Sequence, residues 1–234
     1  MRTTMTLLVE VRDMQTKYPN WFEMTAKENF ESQLLPLAGK FNLRFLQIGA
    51  FTGDATVWLV DNVLVTKNSV LEDVDIWTGS DEEEHKDMNW LDVERVYDSR
   101  IAFRPNVIKY KMDSKEFLRS IEEPTYDFIY IDGDHTAEGV LRDALLAWRL
   151  FQGVATSYPS ESDFSFHPAV SQQTIKAISS TFRSGSKTDF SQLLTSLRKD
   201  RTKERSMLVI ARAEKSGFAR SLLVEIEHVS SSGL

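Results

Sequence analysis

From residue 43 onward, short apolar runs that end in glycine or an acid alternate with stretches whose apolar residues recur every three or four positions. The first run, LRFLQIGA (43–50), breaks at glycine, and Val57, Leu59, Val60, Val63 and Leu64 then follow at helical spacing over 53–64. SVLEDVDIW (69–77) predicts a second strand, followed by the polar loop TGSDEEEHKDMN and a helix over WLDVERVYDSRI. VIKYKMDS (107–114) predicts a third strand with a short helix, KEFLRSI, behind it; Tyr126 to Ile131 predicts a fourth, with a helix from Ala137 to Leu150. Ahead of all these, Trp21, Phe22, Phe30, Leu34 and Leu35 recur at helical intervals behind Asn20, a residue type that caps helices. Regular alternation of strand and helix predicts a parallel sheet covered by helices, because parallel neighbours need a right-handed crossover and a helix supplies it.

After Leu150 the pattern weakens. GVATSY predicts a short fifth strand, PSESDFSFHP a loop, and the Ser/Thr-rich stretch over 170–200 two helices, AVSQQTIKAISSTF and DFSQLLTSLRK. SMLVIARA and SLLVEIEHV, separated by EKSGFAR, predict an antiparallel hairpin at the edge of the sheet. Neither an internal repeat nor a clear boundary divides the chain, so one domain over 1–234 is expected. Residues 1–40 form a helical extension to it, and Trp21 and Phe22, with Trp90, are candidates for a lid over an acceptor; packing in the core is the equal alternative.

Composition narrows the classes. At 234 residues with 41% hydrophobic and 11% aromatic content, the chain can bury a proper core. A net charge of -7 offers no global field for polyanions, so duplex nucleic acid is not an expected partner. Cysteine is absent, which removes disulfides and thiolate chemistry, and no window of 18 apolar residues predicts a membrane span. The stretch MRTTMTLLVEVRDMQ has an apolar core broken by Glu10 and Arg12, unlike a signal peptide, and the cytoplasm is the expected location. The acidic run SDEEEHKD, with His85, and the basic run RKDRTKER read as solvated surface, and His167 and His228 have no ligand-like partner in sequence.

Ligands of an open parallel sheet collect outside the carboxyl ends of its strands, and the conspicuous polar residues fall there. In Gln47-Ile48-Gly49-Ala50-Phe51-Thr52-Gly53, Gly49 permits a tight turn, Gly53 permits close backbone approach, and the following helix offers free N–H groups. Taken alone, the glycine pair also suits any strand-to-helix turn. Asp75 could accept from both hydroxyls of a ribose or simply cap the next element. Asp113 could accept from an exocyclic amine or, with Ser114, cap the helix that follows. Asp132-Gly133-Asp134-His135 sets two carboxylates and an imidazole where the fourth strand ends. His135 is the candidate general base, since its pKa lies near neutrality; capping the helix from Thr136 is its bland alternative.

The combination is more specific than its parts. LQIGAFTGDATVWL, LEDVDIWTGSDEEEH and YDFIYIDGDHTAEGVLRDALLAW, in that order, resemble the class I S-adenosylmethionine-dependent methyltransferases, nearest to the small-molecule O-methyltransferases with a D-x-x-H motif after strand four. The resemblance covers about residues 20–150. It implies a Rossmann-like three-layer α/β sandwich, with a mostly parallel seven-stranded sheet and an antiparallel C-terminal hairpin. It also implies S-adenosyl-L-methionine as cofactor and a small-molecule hydroxyl as acceptor. Gly49, Ala50 and Gly53 would then face the methionine part. Gln47 stands where relatives carry an acid for the amino group, and its carbonyl can still accept that hydrogen bond with less electrostatic pull. Asp75 would take the ribose, Ile76 and Trp77 would border the adenosine, and Asp113 with Ser114 would meet the adenine edge. Asp132 would lie near the transferring methyl or bind Mg²⁺, and His135 would act as base.

Relatives continue with LLKPGG and the acid pair of FDDY, which completes their metal site; this chain has RLFQGVATSYPSESDFSF, with Glu161 and Asp163 the next acids. Asp132 is left as the one firm metal candidate, and the segment 151–206 is unlike those relatives. A catalytically impaired cofactor-binding module with a regulatory or assembly role is therefore the first alternative. A nicotinamide-dependent oxidoreductase ranks below it, because Gly49-x-x-x-Gly53 lacks the G-x-G-x-x-G pattern. The acceptor and the oligomeric state, a homodimer included, are left open by the sequence.

Overall fold

A computed structural model describes residues 17–80, 85–123, 126–134, 137–148, 150, 164–166, 206–213 and 219–226. The chain falls into two compact units, Met1–Asp113 and Ser114–Leu234. Both are mixed α/β.

In the first unit, α1 (Trp21–Thr25) starts where Asn20 Oδ1 accepts from the Glu23 N–H at 2.9 Å. The predicted single helix is interrupted at Ala26; α2 (Lys27–Leu34) follows, and a 3-10 turn at Leu35–Leu37 contains Pro36, which removes a backbone donor. Phe22 and Phe30 pack edge-on to each other at 5.1 Å and against Trp58 at 5.9 and 5.7 Å. Phe22 is thus a core residue of this helical extension.

The sheet of this unit is built from β1 (Arg44–Ile48), β2 (Val70–Asp75) and β3 (Val107–Lys111), with β2 in the middle and all three parallel. The crossovers are α3 (Asp54–Asn62) and α4 (Trp90–Ile101). Phe45, Leu46 and Ile48 are all buried, as expected of a strand covered on both faces. The middle strand nevertheless carries two buried acids, Glu72 and Asp73. They point to opposite faces, since successive strand residues alternate. Glu72 accepts from Arg44 Nη2 and the Tyr110 hydroxyl, both at 3.1 Å. Asp73 lies on the other face, where Oδ2 accepts from the Thr56 hydroxyl of α3 at 2.6 Å and the Tyr97 hydroxyl of α4 at 2.8 Å.

The second unit opens with α5 (Ser114–Ser120), β4 (Phe128–Ile131) and α6 (Ala137–Trp148). All four residues of β4 are buried. Tyr126 N donates to the Leu150 carbonyl at 3.1 Å, which ties the start of this strand to the end of the following helix. At the head of α6, a side chain at Gly139 would collide with the Asp134 carboxylate, so glycine lets Asp134 lie on the helix. Beyond this come β5 (Phe164–Phe166), β6 (Ser206–Ala213) and β7 (Ala219–Ile226). β7 pairs parallel with β4 and antiparallel with β6, and β6 pairs antiparallel with β5. Two sequence expectations change here. FSF, read as loop because three residues carry almost no periodicity, is a strand, and it lies outside the hairpin that was expected at the edge. GVATSY, the two helices expected over 170–200 and the RKDRTKER run lie outside the described residues. No described helix is long and apolar enough to cross a membrane.

Candidate cofactor site

The turn after β1 is held in a conformation that side chains ordinarily avoid. Gly49 and Gly53 both have φ +83°, and between them Phe51 has φ +48°. Across the turn, Trp77, just beyond β2, has φ +47°. A left-handed conformation costs a non-glycine residue about 1–2 kcal/mol, so two of them persist only where other bonds over-determine them. Asp75 provides those bonds. Its Oδ2 accepts from the N–H of Ala50 at 2.8 Å and of Phe51 at 2.9 Å, and its Oδ1 accepts from the N–H of Trp77 at 2.7 Å. The Trp77 indole N–H closes the arrangement by donating to the Phe51 carbonyl at 2.9 Å. Gly49 N donates to the Val74 carbonyl at 2.8 Å, and Gly53 N to that of Ala50 at 2.7 Å. The carboxylate expected to face a ribose is therefore also the anchor of the glycine turn.

Gly53 is approached closely by a side chain of this protein, Tyr97 of α4. Gly53 caps α3, and a Cβ built there would stand 3.0 Å from Tyr97 Cδ2. Gly53→Ala combines that clash with the left-handed φ; a loss of about 1–3 kcal/mol is expected in urea denaturation, against less than half that for an alanine at an exposed turn glycine. Next to it, Arg100 of α4 pairs with Asp54 at 2.6 Å and donates to the Thr52 carbonyl at 3.0 Å, locking the first turn of α3 from the outside.

Aromatic side chains gather on Phe51. Trp21 lies 4.6 Å from it between ring centroids, Trp90 6.0 Å and Tyr18 6.1 Å. His85, read from the sequence as part of a solvated acidic loop, stands 5.6 Å from the Trp21 ring and 5.0 Å from Trp90, with Nδ1 2.7 Å from the Ser80 hydroxyl. Two of the three lid candidates, Trp21 and Trp90, thus border the turn, whereas Phe22 does not. Of the residues expected to border an adenosine, Ile76 is 40% exposed at the end of β2, while Trp77 is 2% exposed and packs with Ala50, Val93 and Tyr97.

Gln47 holds the inner side of the turn. Its Nε2 donates to the Gly49 carbonyl at 3.0 Å, which fixes the amide orientation, because a carbonyl cannot accept from a carbonyl. Its Oε1 is buried and has no hydrogen-bond partner among the described residues. A buried acceptor of this kind suits an N–H donor brought by a ligand.

Asp113 is exposed just past β3, and the Met112 N–H donates to the Asp75 carbonyl at 3.1 Å, which brings the ends of β2 and β3 together. The Ser114 hydroxyl, expected at an adenine edge, donates to Asp143 of α6 at 2.8 Å. Burial pushes the Asp143 carboxyl above the usual carboxylate range, although Ser114 and Arg142 oppose the shift. At the end of β4, Asp132 is half-buried and its Oδ2 accepts from the Tyr130 hydroxyl at 2.9 Å. His135, Glu161, Asp163, His167 and His228 lie outside the described residues. Among the described residues, no group of three or more acidic or imidazole side chains is arranged to hold a metal ion.

Sequence reading missed Asp73. Burial raises its carboxyl to about 7, with Thr56 and Tyr97 pulling it down and Asp75 pushing it up. The adjacent acids Glu72 and Asp73 inside a run predicted to be a covered strand were the available signal.

Residues 46–154, a little under half of the chain, match the family model of a methyltransferase domain. The match supports a methyltransferase. The stretch runs from within β1 through the turn, Asp75, Asp113 and Asp132 and past the end of α6. No curated protein sequence matches the chain. Among solved structures, the chain is similar to an O-methyltransferase from Bacillus cereus in complex with SAH, at 16% identity over 95% of this chain and 90% of that one, with TM-score 0.46. A cofactor-bound protein from MTB gives 17% identity over 95% and 90%, with TM-score 0.45. An SAH-bound methyltransferase from Podospora anserina gives 10% over 96% and 88%, with TM-score 0.44. Likenesses this loose leave the functional reading to rest on the chain's own residues.

Proposed function

We propose that the chain is an S-adenosyl-L-methionine-dependent methyltransferase that acts on a hydroxyl of a small-molecule acceptor. The reading takes the chain as one Rossmann-like domain with a seven-stranded sheet and an antiparallel last hairpin. The observation that carries it is the over-determined turn Gly49–Gly53, with a buried acceptor, Gln47 Oε1, that has no partner among the described residues. The matched methyltransferase domain covers the same turn. When bound, the cofactor supplies an electrophilic methyl group on a sulfonium.

This chain's residues bind and orient. Gln47 Oε1 accepts from the amino group of the cofactor's amino-acid part, and the backbone of Gly49, Ala50 and Gly53 lies against it. Asp75 keeps the turn in shape and would use its remaining acceptor capacity for the ribose hydroxyls. Ile76 offers an apolar ledge to the base, and Asp113 accepts from the adenine amine, with Ser114 beside it. As the family resemblance implies, Asp132 would serve near the transferring methyl, and His135 would remove the acceptor's proton. Asp132 is the residue that would hold Mg²⁺, and no step is assigned to the ion; among the described residues no group of three or more acids or imidazoles is arranged to hold one.

Calorimetric binding of S-adenosylhomocysteine tests the reading, with NAD as the competitor. Tighter binding of NAD would overturn it. His135→Ala is expected to lower turnover by about 10²–10⁴-fold with little change in cofactor affinity. Unchanged turnover in that variant would remove the base assignment. Binding with no methyl transfer to any acceptor, with or without Mg²⁺, would turn the reading toward a cofactor-binding module.

A further inference from the structure

In the first unit, two buried side-chain oxygens have no partner among the described residues: Gln47 Oε1 and Asp73 Oδ1. They are neighbours by construction. Gln47 and Asp73 are direct register partners across β1 and β2, so their side chains leave the sheet on the same face. Gln47 is 2% exposed and Asp73 0%. The rest of each group is committed, Gln47 Nε2 to the Gly49 carbonyl and Asp73 Oδ2 to the hydroxyls of Thr56 and Tyr97. What remains is acceptor capacity on two adjacent strands, one neutral and one able to carry a charge.

The nearby cations do not fill this role. Lys109 is the register partner of Asp73 on β3, but its ammonium is bound to Glu94 and Asp98, each at 2.7 Å, and lies 4.4 Å over the Trp77 ring. Arg100 is taken by Asp54 and the Thr52 carbonyl. An alkylammonium has three N–H donors and one positive charge, so a single such group can satisfy both oxygens.

We propose that Asp73 is a binding residue for the amino group of the cofactor's amino-acid part, supplying beside Gln47 the negative charge that a glutamine lacks. This rests on the methyltransferase reading above and extends it to a residue outside the glycine turn. Thr56 and Tyr97 position the carboxylate by holding its second oxygen. The groups that face it are Gln47 from β1, Asp75 on its own strand, Lys109 from β3, Thr56 from α3, and Tyr97 with Glu94 and Asp98 from α4. Burial would raise Glu94, but hydrogen bonds from Lys109 and Lys111 outweigh it and hold that carboxyl below its usual range. Asp73 is thus the member of the set that burial brings to about 7. On binding, the carboxylic acid gives its proton to solvent, and the carboxylate then pairs with the incoming ammonium.

Calorimetry on the full chain decides the matter with two ligands, S-adenosylhomocysteine and its deaminated analogue, at pH 7 in two buffers of different ionisation heat. Asp73→Asn is expected to weaken S-adenosylhomocysteine by about 10–100-fold, the size of a lost charge-assisted hydrogen bond, and to leave the deaminated analogue unchanged. Adding Gln47→Glu to Asp73→Asn should restore most of the loss. The wild type should release protons on binding S-adenosylhomocysteine and none on binding the analogue, because burial raises the Asp73 carboxyl. Equal weakening of both ligands, or of neither, would overturn the proposal while leaving the methyltransferase reading intact. Failure of the wild type to bind either ligand would bring down both. Should Asp73→Asn not fold by circular dichroism, the wild type still decides, since equal affinity for S-adenosylhomocysteine and the deaminated analogue sinks the proposal.

Discussion

Asp75→Ala is expected to abolish measurable S-adenosylhomocysteine binding and to cost about 3–5 kcal/mol of stability in urea denaturation. Three backbone N–H groups, those of Ala50, Phe51 and Trp77, lose a charged acceptor at once. Each hydrogen bond to a charged group contributes about 1.5–3 kcal/mol, and the sum is not additive. Two of the three donors belong to residues with φ near +48°, so the substitution also releases the backbone from conformations it would not choose alone. Asp75→Asn separates charge from shape. It keeps one acceptor oxygen but sets an amide –NH₂ against the Ala50 and Phe51 pair or against Trp77, so an intermediate loss is expected. Near-ultraviolet circular dichroism offers a second readout, since Trp77 is buried against Tyr97 at 4.7 Å and bonded to the Phe51 carbonyl. An alanine variant with wild-type stability and an unchanged Trp77 signal would show that the turn does not depend on this carboxylate.

The second large effect is a pH dependence of stability centred on Asp73. Its folded pKa is about 7 against an ordinary 3.8, because burial penalises the charged form. Between these values the folded state binds more protons than the unfolded one, so stability falls as pH rises. The carboxyl's contribution is fully present below about pH 4, is lost progressively up to about pH 7, and is constant above it. The difference corresponds to about 4 kcal/mol at 1.36 kcal/mol per pKa unit. Asp73→Asn cannot ionise, and its denaturation midpoint is expected to change much less between pH 5 and 8 than that of the wild type. The stability difference between the two should therefore move in the variant's favour from pH 5 to pH 8. Parallel pH profiles for the two would remove Asp73 as the titrating group. Taken with the ligand experiment, this makes Asp73 a residue that costs stability where it serves binding, a trade common at functional sites.

Much of the candidate site was legible in the sequence because its parts are local. Gln47 to Gly53 is a strand end, a turn and a helix start within seven consecutive residues, and glycine at positions with φ +83° leaves a mark in the sequence itself. Asn20 as a cap and Asp75 at the end of an apolar run are likewise local. The hydroxyl bond of Ser114 was not legible, because its partner, Asp143, lies 29 residues away on another helix. His85 changed for a related reason: a run of acids predicts solvation, but the two indoles beside it come from Trp21 and Trp90.

Sequence by itself determined the alternation of strand and helix from Arg44 to Trp148, the glycine turn, and the acids that close β2, β3 and β4, since periodicity and turn chemistry act over a few residues. Only the tertiary structure decided what the acids do. It made Asp75 the anchor of a strained turn, and it buried Asp73 beneath Thr56 and Tyr97, 17 and 24 residues away, in register with Gln47. In the letters DVD, the two aspartates look alike. Strand pairing and helix packing, which act between distant parts of the chain, give one of them backbone donors and leave the other with an oxygen that nothing described in the protein satisfies.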